Sequence, residues 1–177
     1  YLQFGVFRGP LKRDKWAKTY KKHFEKEIFI ISKNFKELSF KEDNLPTDDF
    51  FDFENDNCHG RFKGGRKAGL KRLNYFLNND IHSYGKNISS PEKSYFSCSR
   101  LSPYITMGCI SLKEILKKTK LLKTKDSKMF TSRLYWHCHF IQKLETQPEL
   151  EFKEYHPYFE NIRVKNEYFL EAWSEGK

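Results

Sequence analysis

Between Ser127 and Glu145, Phe130, Leu134, His137, Ile141 and Leu144 return at steps of four, three, four and three. That period belongs to an α-helix and not to a strand. A helix this long, closed off before Pro148, cannot bury its own stripe and needs further helices against it. The sequence supplies them. From Gly64, GGRKAGLKRLNYFL places Leu70, Leu73, Phe76 and Leu77 on one stripe and turns Lys67 and Lys71 away from it, a helix of about four turns. Ser111 and Glu114 form a Ser-x-x-Glu capping box that opens a helix with Leu112, Ile115 and Leu116 inward, ending near Leu122. Asn166 to Glu175 reads as a shorter helix with Phe169, Leu170 and Trp173 as its apolar residues and Gly176 just past its end.

The first 60 residues carry no long helical period. Their acidic piece, Glu37 to Asp56, has eight acids against Lys41 alone, with Pro46 inside it. The expected organisation is therefore residues 1–60 as an extended connector with short helices, one near Lys15 to Lys26, followed by a helical unit over 61–177. At 177 residues there is room for one ordinary domain. The net charge of +10 suits a polyanion such as nucleic acid, or simply a basic soluble surface. Ile28 to Ile31 is the longest fully apolar run, far short of a membrane span, and the N-terminus lacks the order of a signal peptide, so the reading is a cytoplasmic protein without a membrane partner, and a monomer. Cys58, Cys98, Cys109 and Cys138 show no paired short spacing and are expected as free thiols. Seventeen Phe, ten Tyr and three Trp can fill a core, line a planar-ligand pocket or stack on bases, and most are expected in the core.

The segment Ser97 to Ser111, SCSRLSPYITMGCIS, gathers three small hydroxylated residues around Arg100, then Pro103, Gly108 and a fresh helix start. Such a loop can point amides, hydroxyls and a guanidinium at one phosphate, or Ser99 and Ser102 can be ordinary turn and cap residues. It resembles the flavin-phosphate loop of the DNA photolyase and cryptochrome family, in which a hydroxyl residue and Ser-Arg-Leu-Ser, usually with Pro, precede a Gly and an Ile-Ser or Leu-Ser. Ser99, Arg100, Leu101, Ser102, Pro103, Gly108, Ile110 and Ser111 fit in order, and Cys98 stands where many members have Thr. The Gly-Gly before Leu70 resembles the start of the family's flavin domain, VFRGPLKRDKWAK resembles its interdomain linker, and the closing AWSEGK resembles its Ala-Trp-x-x-Gly.

On the long helix, Arg133, Trp136, His137 and Phe140 occupy neighbouring parts of one surface. In the family the matching helix carries Glu-x-x-Trp-Arg-x-Phe. Trp136 and Phe140 keep the aromatic residues, whereas Arg133 and His137 stand where Glu and Arg do. A guanidinium cannot act as a carboxyl proton source. Arg133 either holds a flavin or DNA phosphate or extends to solvent. Adjacent helix positions lie about a hundred degrees apart, which keeps His137, Cys138 and His139 from closing on one zinc, and no oxyanion hole or orienting acid marks Cys138 as a nucleophile.

The resemblance implies an all-α, helical FAD-binding domain, with this chain covering the linker and the first half of that domain. It further implies FAD held at Tyr84, Cys98, Ser99, Arg100, Leu101, Ser102, Phe130, Arg133 and His137, with Phe130 serving core and cofactor together. DNA, a damaged duplex or single strand, would meet Lys86, Arg133, Trp136, His137 and Phe140. An antenna chromophore would sit in an α/β domain preceding the linker. Two basic stretches offer DNA surfaces or solvated helix faces: the block Arg61, Lys63, Arg66, Lys67, Lys71 and Arg72, and the seven lysines from Lys113 to Lys128 against Glu114 and Asp126. The activities implied are light-driven repair of pyrimidine dimers or, alternatively, blue-light signalling without repair. A helical DNA-binding module without cofactor is the plainer third reading.

Overall fold

The computed structural model describes residues 13–26, 28, 44, 46, 50, 60–162 and 164–177. Among them the chain is all-α: α1 (Arg13–Glu25), α2 (Arg66–Asn78), α3 (Tyr84–Asn87), α4 (Pro91–Ser97), α5 (Ser102–Thr106), α6 (Leu112–Lys120), α7 (Lys125–Thr146) and α8 (Glu167–Ser174), with short 3-10 turns between some of them. The acidic piece and Cys58 lie outside the described residues, save for single positions.

Each of the four helices expected from periodicity is present, and its cap accounts for its start. Gly65 opens α2 at φ 88, a backbone angle that favours glycine. Ser111 Oγ accepts from the Glu114 amide at 3.1 Å, Thr124 Oγ1 from Ser127 at 3.1 Å and Asn166 Oδ1 from Phe169 at 3.1 Å. The Ser111 box is half-made, because the Glu114 carboxylate takes both Arg66 terminal nitrogens at 3.0 Å and so ties α2 to α6.

α7 is the helix the others lean on. α6 and α3 pack along it, and the core joins Leu73 and Phe76 of α2, Ile115 and Leu116 of α6, and Phe130 and Leu134 of α7. The buried face of α7 differs from the expected stripe in its second half. It runs Ser127, Phe130, Leu134, Cys138, Gln142, while Leu144 is exposed. α1 is the cause: Tyr20 sets its hydroxyl 3.4 Å from Cys138 Sγ and its ring edge-on to Tyr135 at 4.6 Å, which draws the covered side round the helix.

The aromatic residues also depart from expectation. Six are buried among the described residues, Tyr20, Phe24, Phe76, Tyr84, Tyr104 and Phe130, whereas fourteen are exposed, many of them beyond residue 150. Phe169 and Trp173 of α8 are 66% and 81% exposed. Ring content therefore measures surface here more than core. Cys98 and Cys109 are free thiols, and no helix among the described residues is long and apolar enough to cross a membrane.

Candidate functional site

The loop between α4 and α5 is built from behind by Arg72 of α2. Its Nε donates to the Ser99 carbonyl at 2.8 Å, and one terminal nitrogen donates to the Cys98 carbonyl at 2.9 Å and to Asp80 Oδ2 at 2.6 Å. Three acceptors thus hold one guanidinium, itself mostly shielded from water. In a trans peptide the carbonyl and the following N–H point opposite ways, so drawing both carbonyls onto Arg72 turns the amides of Ser99 and Arg100 outward. Sequence reasoning placed Arg72 in a basic surface block. Its spacing of eight from Asp80, two helical turns on, was the available signal, hidden because Asp80 lies beyond the end of α2.

Arg100 then takes φ 53, in the left-handed region, and Leu101 returns to φ −92, ψ −8. A left-handed residue followed by a right-handed one makes successive amides converge into a concavity that favours an anion. For a residue with a Cβ the left-handed conformation costs about 1–2 kcal/mol, so the surrounding contacts must hold it. They do: the Arg100 guanidinium lies 4.2 Å from the centre of the Tyr95 ring and 4.9 Å from that of Phe62, two cation–π contacts. Leu101 is buried beneath as a plug. The Leu101 amide meets Ser99 Oγ at a long 3.4 Å, and the amides of Arg100 and Ser102 have no acceptor among the described residues. Past α5 the chain turns at Gly108, φ 67, and the amides of Cys109 and Ile110 close onto the Tyr104 carbonyl at 2.8 and 3.3 Å.

Tyr84 connects this loop to α7. Its ring packs edge-on against Phe76 at 5.8 Å and Phe130 at 5.4 Å, and burial, with the Cys98 thiol nearby, pushes its hydroxyl up to about 12 against an opposing pull from Arg133. Tyr84 thus touches Phe130 directly and feels the charges of Cys98 and Arg133. The Cys98 thiol is pushed up by burial. Gly85 strengthens the junction by donating its N–H to Asp126 Oδ1 at 2.7 Å.

On α7, Arg133 is exposed without a carboxylate partner among the described residues. Trp136 is 40% exposed, with Phe140 5.7 Å from it ring to ring. His137 is half-buried, its Nδ1 is buried without a partner among the described residues, and burial, then the positive N-terminus, holds its pKa below the usual value. Arg100 is spent on its two rings rather than aimed at α7, and Ser102 and Lys86 are exposed. The structure thus brings Tyr84 and Phe130 into contact and sets Arg133, Trp136 and Phe140 along one flank of α7. No three His, Cys, Asp or Glu side chains converge as a metal site among the described residues.

The two basic stretches separate. Arg66 and Arg72 are consumed by Glu114 and Asp80, leaving Lys67 and Lys71 exposed. In the 113–128 stretch both acids are engaged, Glu114 with Arg66 and Asp126 with Gly85.

No family model matches the chain. A deoxyribodipyrimidine photo-lyase of Streptomyces griseus is 25% identical over 117 residues, which cover 66% of this chain and 25% of that protein. The relationship to photolyases is a distant one, and the matched stretch spans about a quarter of the relative's length.

Proposed function

We propose that residues 61–177 form the phosphate-holding part of a helical FAD-binding domain in a photolyase-like flavoprotein that acts on DNA. The observation that carries this reading is the left-then-right backbone at Arg100 and Leu101, braced by Arg72, which leaves converging amides open to an anion. The residues fit the diphosphate of FAD: the amides of Arg100, Leu101 and Ser102 supply donors, and Ser99 and Ser102 add hydroxyls. Tyr84 and Phe130 stiffen the wall behind the loop, and His137 Nδ1, buried and without a partner among the described residues, can take one from a bound cofactor. When bound, a flavin supplies light-driven one-electron chemistry.

The chain's own part beyond holding the cofactor is to receive DNA. The exposed ring of Phe140 and the partly exposed one of Trp136 offer a stacking surface for a base turned out of its duplex, and the Arg133 guanidinium can hold a phosphate beside them. A second reading, light sensing without repair, is favoured by one feature: Arg133 stands where repair members carry a proton-donating Glu, and a guanidinium does not release a proton at neutral pH.

Two measurements test the proposal. In the 177-residue chain, pyrophosphate is expected to shift the amide resonances of Arg100, Leu101 and Ser102 by NMR, and Arg72→Met to abolish those shifts. Absence of any shift there would reject the phosphate site. In the longest protein carrying this sequence, a flavin absorption spectrum followed by light-dependent reversal of thymine dimers separates the activities: flavin with reversal supports repair, and flavin without reversal leaves the sensor reading.

A further inference from the structure

A groove of about 650 Å³ opens between the end of α6 and the first turns of α7, lined by Lys120, Lys123, Ser127, Lys128, Thr131 and Ser132. Tyr135 completes its wall, backed by the Tyr20 ring at 4.6 Å. None of these residues belongs to the loop at Ser99 to Ser102. With about a hundred degrees per residue, the centre of the Lys128, Thr131, Ser132 and Tyr135 flank lies roughly a third of a turn from that of Arg133, Trp136 and Phe140, so α7 carries two separate polar faces.

Among the described residues the groove is net positive. Lys120, Lys123 and Lys128 have no carboxylate partner among the described residues: Glu114 is paired with Arg66 at 3.0 Å, and Asp126, which accepts from the Gly85 amide at 2.7 Å and keeps its charge, is one acid against three lysines. Like charges gathered on one concave surface repel one another until an anion separates them. Ser127 spends its hydroxyl on the Thr124 carbonyl at 2.9 Å, whereas those of Thr131 and Ser132 are without a partner among the described residues. The positive end of the α7 dipole adds to the field over the first turn. Burial pushes the Tyr135 hydroxyl up, so it stays a neutral donor.

We propose that this groove is a second nucleic-acid contact, which takes the phosphodiester backbone of duplex DNA on the flank of α7 away from Trp136. It rests on the reading that the protein binds DNA and is independent of the flavin. Lysines act as mobile point charges on phosphate and do not fork a single one as arginine does. Lys117 and Lys125, on the same two helices, are also exposed and add positive charge outside the groove's lining, which suits an extended backbone better than a single small anion. Contact of this kind is indifferent to sequence and to lesion.

The test is binding of a labelled undamaged duplex by fluorescence anisotropy across a salt series. Against the wild-type chain, the triple variant Lys120→Gln, Lys123→Gln, Lys128→Gln is expected to lower the slope of log affinity on log salt by about 2–3, near 0.9 for each phosphate no longer neutralised. A charge-matched control, Lys153→Gln, Lys165→Gln, Lys177→Gln, is expected to keep the wild-type slope. Circular dichroism melts establish that both variants fold. The proposal is overturned by an unchanged slope in the groove variant, by an equal fall in the control, or by a wild-type chain that binds no undamaged duplex. It is also overturned if sodium triphosphate displaces the duplex more strongly than its ionic strength accounts for, which would make the groove a small-anion site. Flavin content and dimer reversal, measured on the longer protein with the same triple variant, report on the cofactor reading separately: their failure with the slope difference intact leaves the groove standing.

Discussion

Replacing Arg72 by Met removes the brace behind the Cys98–Ser99 peptides and leaves the Asp80 carboxylate, whose side chain is 12% exposed, without its cation. Three bonds disappear together, at 2.6, 2.8 and 2.9 Å. Hydrogen bonds to a charged group are worth about 1.5–3 kcal/mol each, and breaking a fully buried ion pair costs about 3–5 kcal/mol. Arg72 retains 22% of its side-chain exposure, so water can enter and recover part of that. A loss of roughly 3 kcal/mol follows, where an exposed pair would give about 1 kcal/mol or less. Asp80→Asn keeps an acceptor beside Arg72 and leaves both carbonyl bonds in place, so it is expected to cost about half as much. The double variant is expected to be less destabilised than the sum of the two, since removing Arg72 already strands Asp80. Urea unfolding followed by circular dichroism measures all three, and hydrogen exchange at Arg100 to Ser102 reports whether the loop loosens. If Arg72→Met costs less than about 0.5 kcal/mol, within the range of an ordinary surface substitution, or leaves exchange at the loop unaltered, the brace does not set this backbone.

Gly85→Ala would put a Cβ 2.6 Å from Met129 Sδ and 2.8 Å from Asp126 Oδ1; a destabilisation of about 1–3 kcal/mol is expected, and a neutral melt would show that the α3–α7 junction is loosely packed. Burial holds the folded His137 pKa below its usual value, so the unfolded chain binds that proton more strongly, and the stability contributed is full above about pH 6.5 and lost as pH falls towards the folded value. His23 is shifted the same way, by burial and then by Lys113 and Lys26. The melting temperature should therefore drop on acidification through this window, and His137→Gln should reduce the drop; parallel curves for variant and wild type would contradict it. The 177-residue chain alone is expected to hold FAD weakly, since the stretch matched spans a quarter of the photolyase relative and an open pocket does not offset the cost of fixing the ligand. A tight stoichiometric yellow complex would refute that.

The helices were legible from their apolar periods, and α6 also from its Ser111 cap; the Thr124 cap starts α7 at Lys125, ahead of the Ser127 start that the period suggests. The Ser97–Ser111 loop was legible as a cluster of residue types. Its backbone was not, because Arg100 at φ 53 is specified by contacts distant in the chain, with Arg72 behind and Phe62 beside it. The second half of the α7 stripe was misread for a similar reason. Periodicity records which residues can be buried, whereas the arrival of Tyr20 at Cys138 decides which are. The exposed aromatic residues beyond position 150 escape any argument from composition, since a ring on a short helix reads alike whether or not something covers it.

α7 can carry two faces because its core contacts occupy only the strip from Ser127 to Gln142, and that strip is pinned at both ends. Asp126 receives the Gly85 amide near its start, and Cys138 meets Tyr20 further along. With rotation about its axis fixed at two points, the helix cannot trade one flank for the other, so Arg133 and Trp136 stay turned from Lys128 and Thr131. A duplex lying against the lysine flank would then be held in register relative to the aromatic flank by a single rigid element. Distance between the two flanks is set by helix geometry rather than by loop conformation. On this argument, freeing one pin by Cys138→Ala should leave the salt slope of duplex binding in place, because each lysine still meets phosphate. It should also weaken discrimination of a lesion-bearing duplex from an intact one, because the rings would no longer stand at a fixed angle to the backbone. An equal fall in both in the variant would show that the faces act as one surface.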